Sequence, residues 1–260
     1  MTAFATADDG TPIAYEEHGV GVPVLLIAGQ ATGMRGWGPF ADALARDFRV
    51  ITYDHRGIDD SGAGDPAAYS TRAFADDAVA VLDAAGVAAA HVVGHSMGGR
   101  VAQWLAADHP ERVRRLVLIA TSSGDRSASR RDPSAIADLV SGDRERMVPL
   151  FFDAEWARSH EEDVDRFFTR TASRPALRGH FAASRDHDGA AVLDRIRAET
   201  LVVHGTHDPL TPLPHGEVLA ERIPDATLAV VDAGHGLHLD TPAVLDAVRA
   251  FLLPVGQRLT

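Results

Sequence analysis

The chain alternates short, continuous apolar runs with amphipathic stretches at helical spacing, and this alternation constrains the fold more than any other feature. A run such as Val22–Gly29, which contains no polar side chain, is typical of a strand buried on both faces. Because helical patterns separate most of the strands, the sequence predicts an α/β fold in which a mostly parallel, eight-stranded sheet carries helices on both faces. The predicted strands are Ala3–Thr6, Pro12–Glu17, Val22–Gly29, Arg49–Asp54, His91–Ser96, Arg115–Ala120, Thr200–Gly205 and Thr227–Gly234.

One long segment interrupts this alternation. Residues 125–199 show no pattern of a buried strand. We interpret them as an inserted helical cap on a core formed by residues 1–124 and 200–260, lying over the carboxyl ends of the strands, where open α/β sheets bind ligands. A helical decoration that only stabilises the core is the alternative. The aromatic residues of this segment are Phe151, Phe152, Trp156, Phe167, Phe168 and Phe181.

Composition excludes several classes of partner. The formal net charge of −12 argues against binding to nucleic acid or to an anionic membrane. The absence of cysteine excludes a disulfide framework and a thiolate metal site. No apolar run approaches the roughly 20 residues that cross a bilayer, and the N-terminus does not resemble a signal peptide. We therefore expect a cytoplasmic protein, monomeric or homodimeric, that acts on a small molecule.

A serine lies between glycines at the point where the run His91–Ser96 gives way to a helical pattern. The pentapeptide Gly94–Gly98, GHSMG, matches the G-x-S-x-G pattern of a nucleophile elbow, and it has the required strand before it and helix after it. In such an elbow, a strained turn lifts the hydroxyl above the edge of the sheet. The backbone N–H of Met97, at the start of the helix, would then point to where an oxyanion forms. A chance match in a loop is the alternative.

A serine hydroxyl becomes a useful nucleophile only when a base and an orienting acid are present. His235, flanked by glycines after the last predicted strand, is the favoured base, and His238, just before the final helix, is a competitor better suited to packing. Asp208, in the turn after a buried strand, is the favoured acid. Asp125 follows another strand end and is the second candidate, whereas Asp232 is too near His235 in sequence to reach across easily.

The order Ser96, Asp208, His235 and the elbow between glycines resemble the α/β-hydrolase superfamily, and the similarity covers nearly the whole chain. The stretch Tyr53–Gly62 resembles the superfamily's D-x-R-G-x-G-x-S turn, and Gly234–Pro242 resembles its histidine loop. Within the superfamily, AHVVGHSMGG and HGTHDPLTPLPHGEVLAERIPDA are most similar to 3-oxoadipate enol-lactonases of aromatic catabolism and to esterases near them.

Two positions depart from the pattern of the superfamily. Its members usually have His-Gly after the third strand, whereas this chain has Gly29-Gln30 at that point. The resemblance implies that the backbone N–H of Gln30 joins that of Met97 in an oxyanion hole, since a backbone donor survives the change of side chain. Asp59 replaces the second glycine of the D-x-R-G-x-G turn.

The resemblance implies a serine hydrolase that cleaves an ester or lactone through an acyl-enzyme, with no cofactor and no metal. The histidines of HGTHD and HGLH do not have the spacing of a known zinc site. Two alternatives remain: a receptor or signalling protein that keeps the triad with little turnover, and a C–C hydrolase, perhydrolase or natural-product tailoring enzyme on the same residues. The candidate pocket residues are Gly29, His95, Trp37, Phe152 and Trp156.

Overall fold

The computed structural model describes residues 1–124 and 132–253. Eight strands in these ranges form one sheet, and the predicted α/β fold is confirmed. In chain order they are β1 (Ala3–Thr6), β2 (Pro12–His18), β3 (Val22–Ile27), β4 (Phe48–Tyr53), β5 (Ala90–His95), β6 (Val113–Ile119), β7 (Glu199–Gly205) and β8 (Ala226–Val231). Their order across the sheet is β1-β2-β4-β3-β5-β6-β7-β8. The two pairings of β2 are antiparallel, and all pairings from β4 to β8 are parallel.

Helices cover both faces of the sheet. The described helices are α1 (Gly38–Leu44), α2 (Thr71–Ala84), α3 (Met97–Asp108), α4 (Pro133–Leu139), α5 (Arg144–Phe151), α6 (Ala154–Ser159), α7 (Glu161–Phe168), α8 (Arg174–Arg185), α9 (Pro214–Arg222), α10 (Leu237–Asp240) and α11 (Pro242–Leu252). Helices α2, α3 and α9 pack on one face, and α1 and α11 pack on the other.

Strand β3 shows why apolar and polar residues do not alternate along a buried strand. Leu25 and Ile27 pack into the core under α2 and α3, whereas Val24 and Leu26 pack into the core under α1 and α11. Successive side chains of a strand point to opposite faces, so a strand covered on both faces needs an apolar side chain at every position.

Some strands are shorter than the sequence predicts at the end nearest the site. The predicted strand Val22–Gly29 ends at Ile27, and Thr227–Gly234 ends at Val231. After Ile27 the chain leaves the sheet in a turn, in which Thr32 N donates to Gly29 O over 3.2 Å. Ala28 after β3 and Ala233 after β8 are still buried, so the apolar pattern continues past the last residue paired in the sheet.

Helices α4 to α8 are inserted between β6 and β7, and residues of α4, α5 and α7 form a third apolar cluster together with Phe152 and with Leu210 of the loop after β7. Phe151, at the end of α5, packs within this cluster and also meets the ring of His235 with 5.3 Å between ring centroids. The inserted helices therefore reach the carboxyl edge of the sheet. No helix within the described ranges combines the length and the apolar character that crossing a membrane requires.

Two buried histidines join the inserted helix α8 to the core. His55, after β4, donates from Nε2 to Ala28 O over 3.0 Å, and His180 of α8 donates from Nε2 to Arg56 O over 3.0 Å. Their ring centroids are 5.8 Å apart. Burial lowers the pKa of His55 to about 3 and that of His180 to about 4, so both rings are neutral at neutral pH.

We expect the free energy of unfolding to fall as the pH is lowered from about 6.5 towards 4. The unfolded chain binds protons at these histidines near pH 6.5, whereas the folded chain leaves the rings neutral until their lowered pKa values are reached. The contribution of these two histidines to stability is therefore fully present above the pKa of an unfolded histidine. It is lost as the pH falls towards their lowered pKa values in the folded chain. Urea unfolding at a series of pH values measures this slope.

Substitution separates this effect from general acid sensitivity. His180→Gln retains a donor towards Arg56 O and removes one titrating group, so the slope should fall by up to about 1.4 kcal/mol per pH unit. His18→Gln, which replaces an exposed histidine on β2, is the comparison variant. Equal slopes in the two variants would contradict the assignment.

Candidate active site

The three side chains of the predicted triad follow three different strands at the carboxyl edge of the sheet. Ser96 comes directly after β5, Asp208 follows β7, and His235 follows β8. The carboxyl ends of parallel strands meet at one edge, which brings residues that are far apart in sequence together. Asp125, the second acid candidate, lies outside the described residues.

Ser96 occupies a strained turn between β5 and α3. Its backbone has φ 55° and ψ −117°, a region that residues other than glycine rarely adopt. A Cβ atom added to Gly98 would lie 1.9 Å from Ile27 O, and one added to Gly94 would lie 2.5 Å from Gly98 O. The two glycines therefore allow α3 to start against β3 and β5, and the turn presents the half-buried Ser96 side chain above the edge.

The three side chains form one hydrogen-bonded series. Ser96 Oγ lies 2.9 Å from His235 Nε2, and His235 Nδ1 lies 2.7 Å from Asp208 Oδ2. Because an ionised carboxylate can only accept, Nδ1 carries the proton of a neutral imidazole, and Nε2 is left to accept from the Ser96 hydroxyl. The arrangement can deprotonate Ser96 when the hydroxyl attacks an electrophile.

Asp208 is held in its loop by the backbone. Its Oδ1 accepts from Leu210 N over 2.9 Å and from Thr211 N over 2.7 Å. Burial alone would raise the pKa of Asp208, but the facing His235, the nearby His204 and these hydrogen bonds outweigh it, so the pKa is lowered. The carboxylate therefore stays ionised and can stabilise a positive charge on His235.

The two residues whose backbone N–H groups are predicted to form an oxyanion hole lie near Ser96: Met97 follows it in the chain, and Gln30 lines the same cavity. Met97 is the first residue of α3, and the first N–H groups of a helix have no acceptor within it. Gln30, in the loop after β3, lines the same cavity as Ser96 and His235. The start of α3 also favours negative charge through the helix dipole.

His95 has a contact that sequence reasoning missed. Its Nε2 donates to the backbone O of His235 over 2.9 Å, and its ring lies 4.2 Å from that of His238, centroid to centroid. Burial, together with the neighbouring His235, lowers the pKa of His95 to about 3. A neutral His95 therefore fixes the loop that carries His235, and its side chain also lines the cavity at Ser96. His238 is buried in α10 and packs against Trp37 rather than Ser96.

The cavity at Ser96 is small, about 50 Å³. Gly29 lines it, whereas the three aromatic residues predicted in its wall do not. Trp37 packs against Phe40 and His238 in the core, and the buried Phe152 packs against Trp156 and Phe167 in the apolar cluster of the inserted helices. The residues that line it are Gly29, Gln30, Thr32, His95, Ser96, Arg100, Ile136, Leu139, Phe151, Phe167, Ser184, Leu210, Thr211 and His235.

Several of these wall residues were not found from the sequence. Phe151 and Phe167 come from α5 and α7, and only helix packing decides that they, rather than Phe152, face Ser96. Arg100 reaches the cavity from α3, and its guanidinium donates to Ser184 O and Oγ over 2.5 and 2.7 Å. No group of three or more histidines and acids in residues 1–124 and 132–253 is arranged to hold a metal ion.

Known proteins resemble this chain over most of its length. A family model described as alpha/beta hydrolase fold matches residues 22–242. The chain is 36% identical over 242 residues to a protein of Azorhizobium caulinodans named "Putative carbamate hydrolase RutD", covering 89% of this chain and 91% of that protein.

Solved structures extend the comparison to three dimensions. A hydrolase from Pseudomonas aeruginosa PA01 superposes with a TM-score of 0.85 at 34% identity, covering 97% of this chain and 98% of that one. The enol-lactonase from Burkholderia xenovorans LB400 superposes with a TM-score of 0.82 at 26% identity, covering 96% and 99%. The chain therefore belongs to the α/β-hydrolase family of enzymes.

Proposed function

We propose that this hydrolase cleaves a carboxylic ester or lactone of a small, partly apolar molecule through an acyl-enzyme on Ser96. The observation that carries the proposal is the series in which Ser96 Oγ lies 2.9 Å from His235 Nε2 and His235 Nδ1 lies 2.7 Å from Asp208 Oδ2. Ser96 lies in a strained turn and is hydrogen-bonded to His235, which is hydrogen-bonded to the ionised Asp208. A serine in this setting can attack a carbonyl carbon.

The proposed reaction has two halves. Ser96 Oγ attacks the carbonyl carbon while His235 Nε2 takes its proton, and the backbone N–H groups of Gln30 and Met97 stabilise the oxyanion. His235 then gives the proton to the leaving alkoxide, and the C–O bond of the ester breaks. Water, deprotonated by His235, attacks the acyl-Ser96 ester; the bond from the carbonyl carbon to Oγ then breaks, His235 returns the proton to Ser96 Oγ, and the acid is released. Asp208 keeps the imidazole oriented in both halves.

The names of two similar proteins bear on the bond that is cleaved. The solved enol-lactonase supports a lactone or ester, and the relative named a carbamate hydrolase makes a carbamate the second candidate. Both share the carbonyl that a serine attacks. C–C hydrolysis, perhydrolysis and tailoring reactions would use the same residues. A receptor that keeps the triad would bind its ligand with negligible turnover.

The remaining parts of the proposal concern the surroundings of the site. The inserted helices act as a cap whose residues Phe151 and Phe167 line the cavity at Ser96. The partner is a small-molecule substrate, without nucleic acid or membrane. The cytoplasmic location and the monomeric or homodimeric state stay predictions.

Ser96→Ala should lower the hydrolysis of p-nitrophenyl acetate by a factor of at least about a thousand, because no other group forms the acyl-enzyme. A fluorophosphonate should label the wild-type protein at Ser96 and leave the variant unlabelled. Circular dichroism and a thermal melt check that the fold is retained. Turnover by the variant at the wild-type rate would refute the assignment of the nucleophile.

Asp208→Asn should lower kcat by about 10⁴-fold with a small effect on KM. The amide oxygen can keep the bonds from Leu210 N and Thr211 N, so its NH₂ group faces His235 and places the imidazole proton on Nε2, where it blocks attack by Ser96. Steady-state kinetics on the same ester measure the loss.

Asp232→Asn is the matched control for this prediction. Asp232 lies in the same loop as His235, but its side chain is exposed and pairs with His207 over 2.7 Å. We expect its kcat to stay at the wild-type value. A wild-type kcat in Asp208→Asn would show that another residue orients the imidazole.

A further inference from the structure

The cavity at Ser96 is much smaller than a typical small-molecule site. Its volume is about 50 Å³, whereas such sites usually measure roughly 300–1,000 Å³. A second cavity of about 570 Å³ adjoins it, and Gln30 and Leu139 line both. Cavities of this size are typical of small-molecule sites, so the rest of a substrate has room on this side of Gln30.

The wall of the larger cavity combines apolar and basic side chains. Leu139 of α4 and Leu177 and Phe181 of α8 supply apolar wall, and the basic side chains are Arg170, Arg178 and Arg185. Arg185 is bound to its neighbour Asp186 over 2.6 Å. Arg170 and Arg178 have no carboxylate within 4.0 Å among residues 1–124 and 132–253.

The charge of α8 is unlike that of the rest of the chain. Arg174–Arg185 contains three arginines and no acidic residue, in a protein with a formal net charge of −12. Arg178 and Arg185 lie on the face of α8 that also carries Phe181. The helix therefore presents apolar and cationic groups together to the cavity.

Arg170 is the more constrained of the two arginines without an ion pair. It is half-buried, and its Nη1 donates to Phe168 O over 2.8 Å, while its Nε is buried without a partner among the described residues. Burial lowers its pKa, and the charge of Asp59 opposes this effect. A buried guanidinium with unused donors gains most from an anion that binds it through charge-assisted hydrogen bonds.

We propose that the cavity lined by Leu139, Phe181 and Arg170 binds the distal arm of the substrate, and that this arm is an apolar chain ending in a carboxylate held by Arg170 and Arg178. The inference rests on the proposed function, because it takes the reacting carbonyl to lie at Ser96. It names the substrate class as an ester or lactone with a second, ionised carboxyl group.

The test compares two series of esters. One consists of monoethyl esters of straight-chain dicarboxylic acids from succinic to suberic, and the other carries a carboxamide in place of the free carboxylate. The carboxamide keeps the shape and one acceptor oxygen, and it removes the charge and the second acceptor. We expect kcat/KM for the carboxylate series to exceed that for the carboxamide series by roughly tenfold or more at the best chain length.

Variants assign the preference to particular residues. Arg170→Gln and Arg178→Gln should each reduce the carboxylate-to-carboxamide ratio several-fold, and Arg170→Lys should retain part of it, since the charge remains. Arg174→Gln is the matched control: Arg174 is exposed on the same helix, outside the cavity wall, so its loss changes the net charge equally without changing the ratio.

Binding to the Ser96→Ala variant separates this inference from the proposed function. Calorimetry with the two esters needs no turnover, and the carboxylate ester should bind more tightly than the carboxamide. Turnover that depends on Ser96, with equal kcat/KM for both series, would overturn the anion site and leave the proposed function standing. If the protein bound the carboxylate ester more tightly but had no esterase activity, the anion site would stand and the proposed function would be overturned.

Discussion

The site depends on the close approach of α3 to the sheet at Gly98. A side chain at this position would collide with the carbonyl oxygens of Ile27 and Ala28, so the helix can start this near to β3 only with glycine. The approach forces Ser96 to a positive φ, and the cost of that conformation is offset by the packing of α3, where Val101 and Leu105 are fully buried. One backbone contact thus determines both the exposure of the nucleophile and the position of Met97 N.

Neutral buried histidines hold the loops around this turn. His95 donates to the carbonyl of His235, and His204 donates to the carbonyl of Thr211, whose N–H in turn bonds Asp208. Each bond ties a site loop to a strand of the sheet rather than to another loop. The sheet therefore sets most of the geometry of the series from Ser96 to Asp208. The inserted helix α5 adds a further tie to the His235 loop, since Gly236 N donates to Phe151 O over 2.7 Å.

The sheet and the residues at its carboxyl edge could be predicted from the sequence, but the directions of side chains on the inserted helices could not. Ser96 and His235 could be predicted because parallel strands bring their carboxyl ends to one edge, whatever the helices between them do. The elbow pattern identified Ser96, and the flanking glycines identified His235. Phe151 and Phe152 show the limit: they are adjacent and identical in type, yet one faces His235 and the other stacks on Trp156. Which of the two faces His235 depends on how α5 packs against α7, and no local sequence pattern determines this packing.

The neutrality of His95 and His238 also bears on which imidazole can act as the base. His95 and His235 have ring centroids 5.1 Å apart, and a proton on the first would oppose the positive charge that the second must develop. Burial, more than any other cause, keeps the pKa of both His95 and His238 far below that of an exposed imidazole. Only His235 faces an ionised carboxylate, so the proton of Ser96 has one stable destination among the three rings.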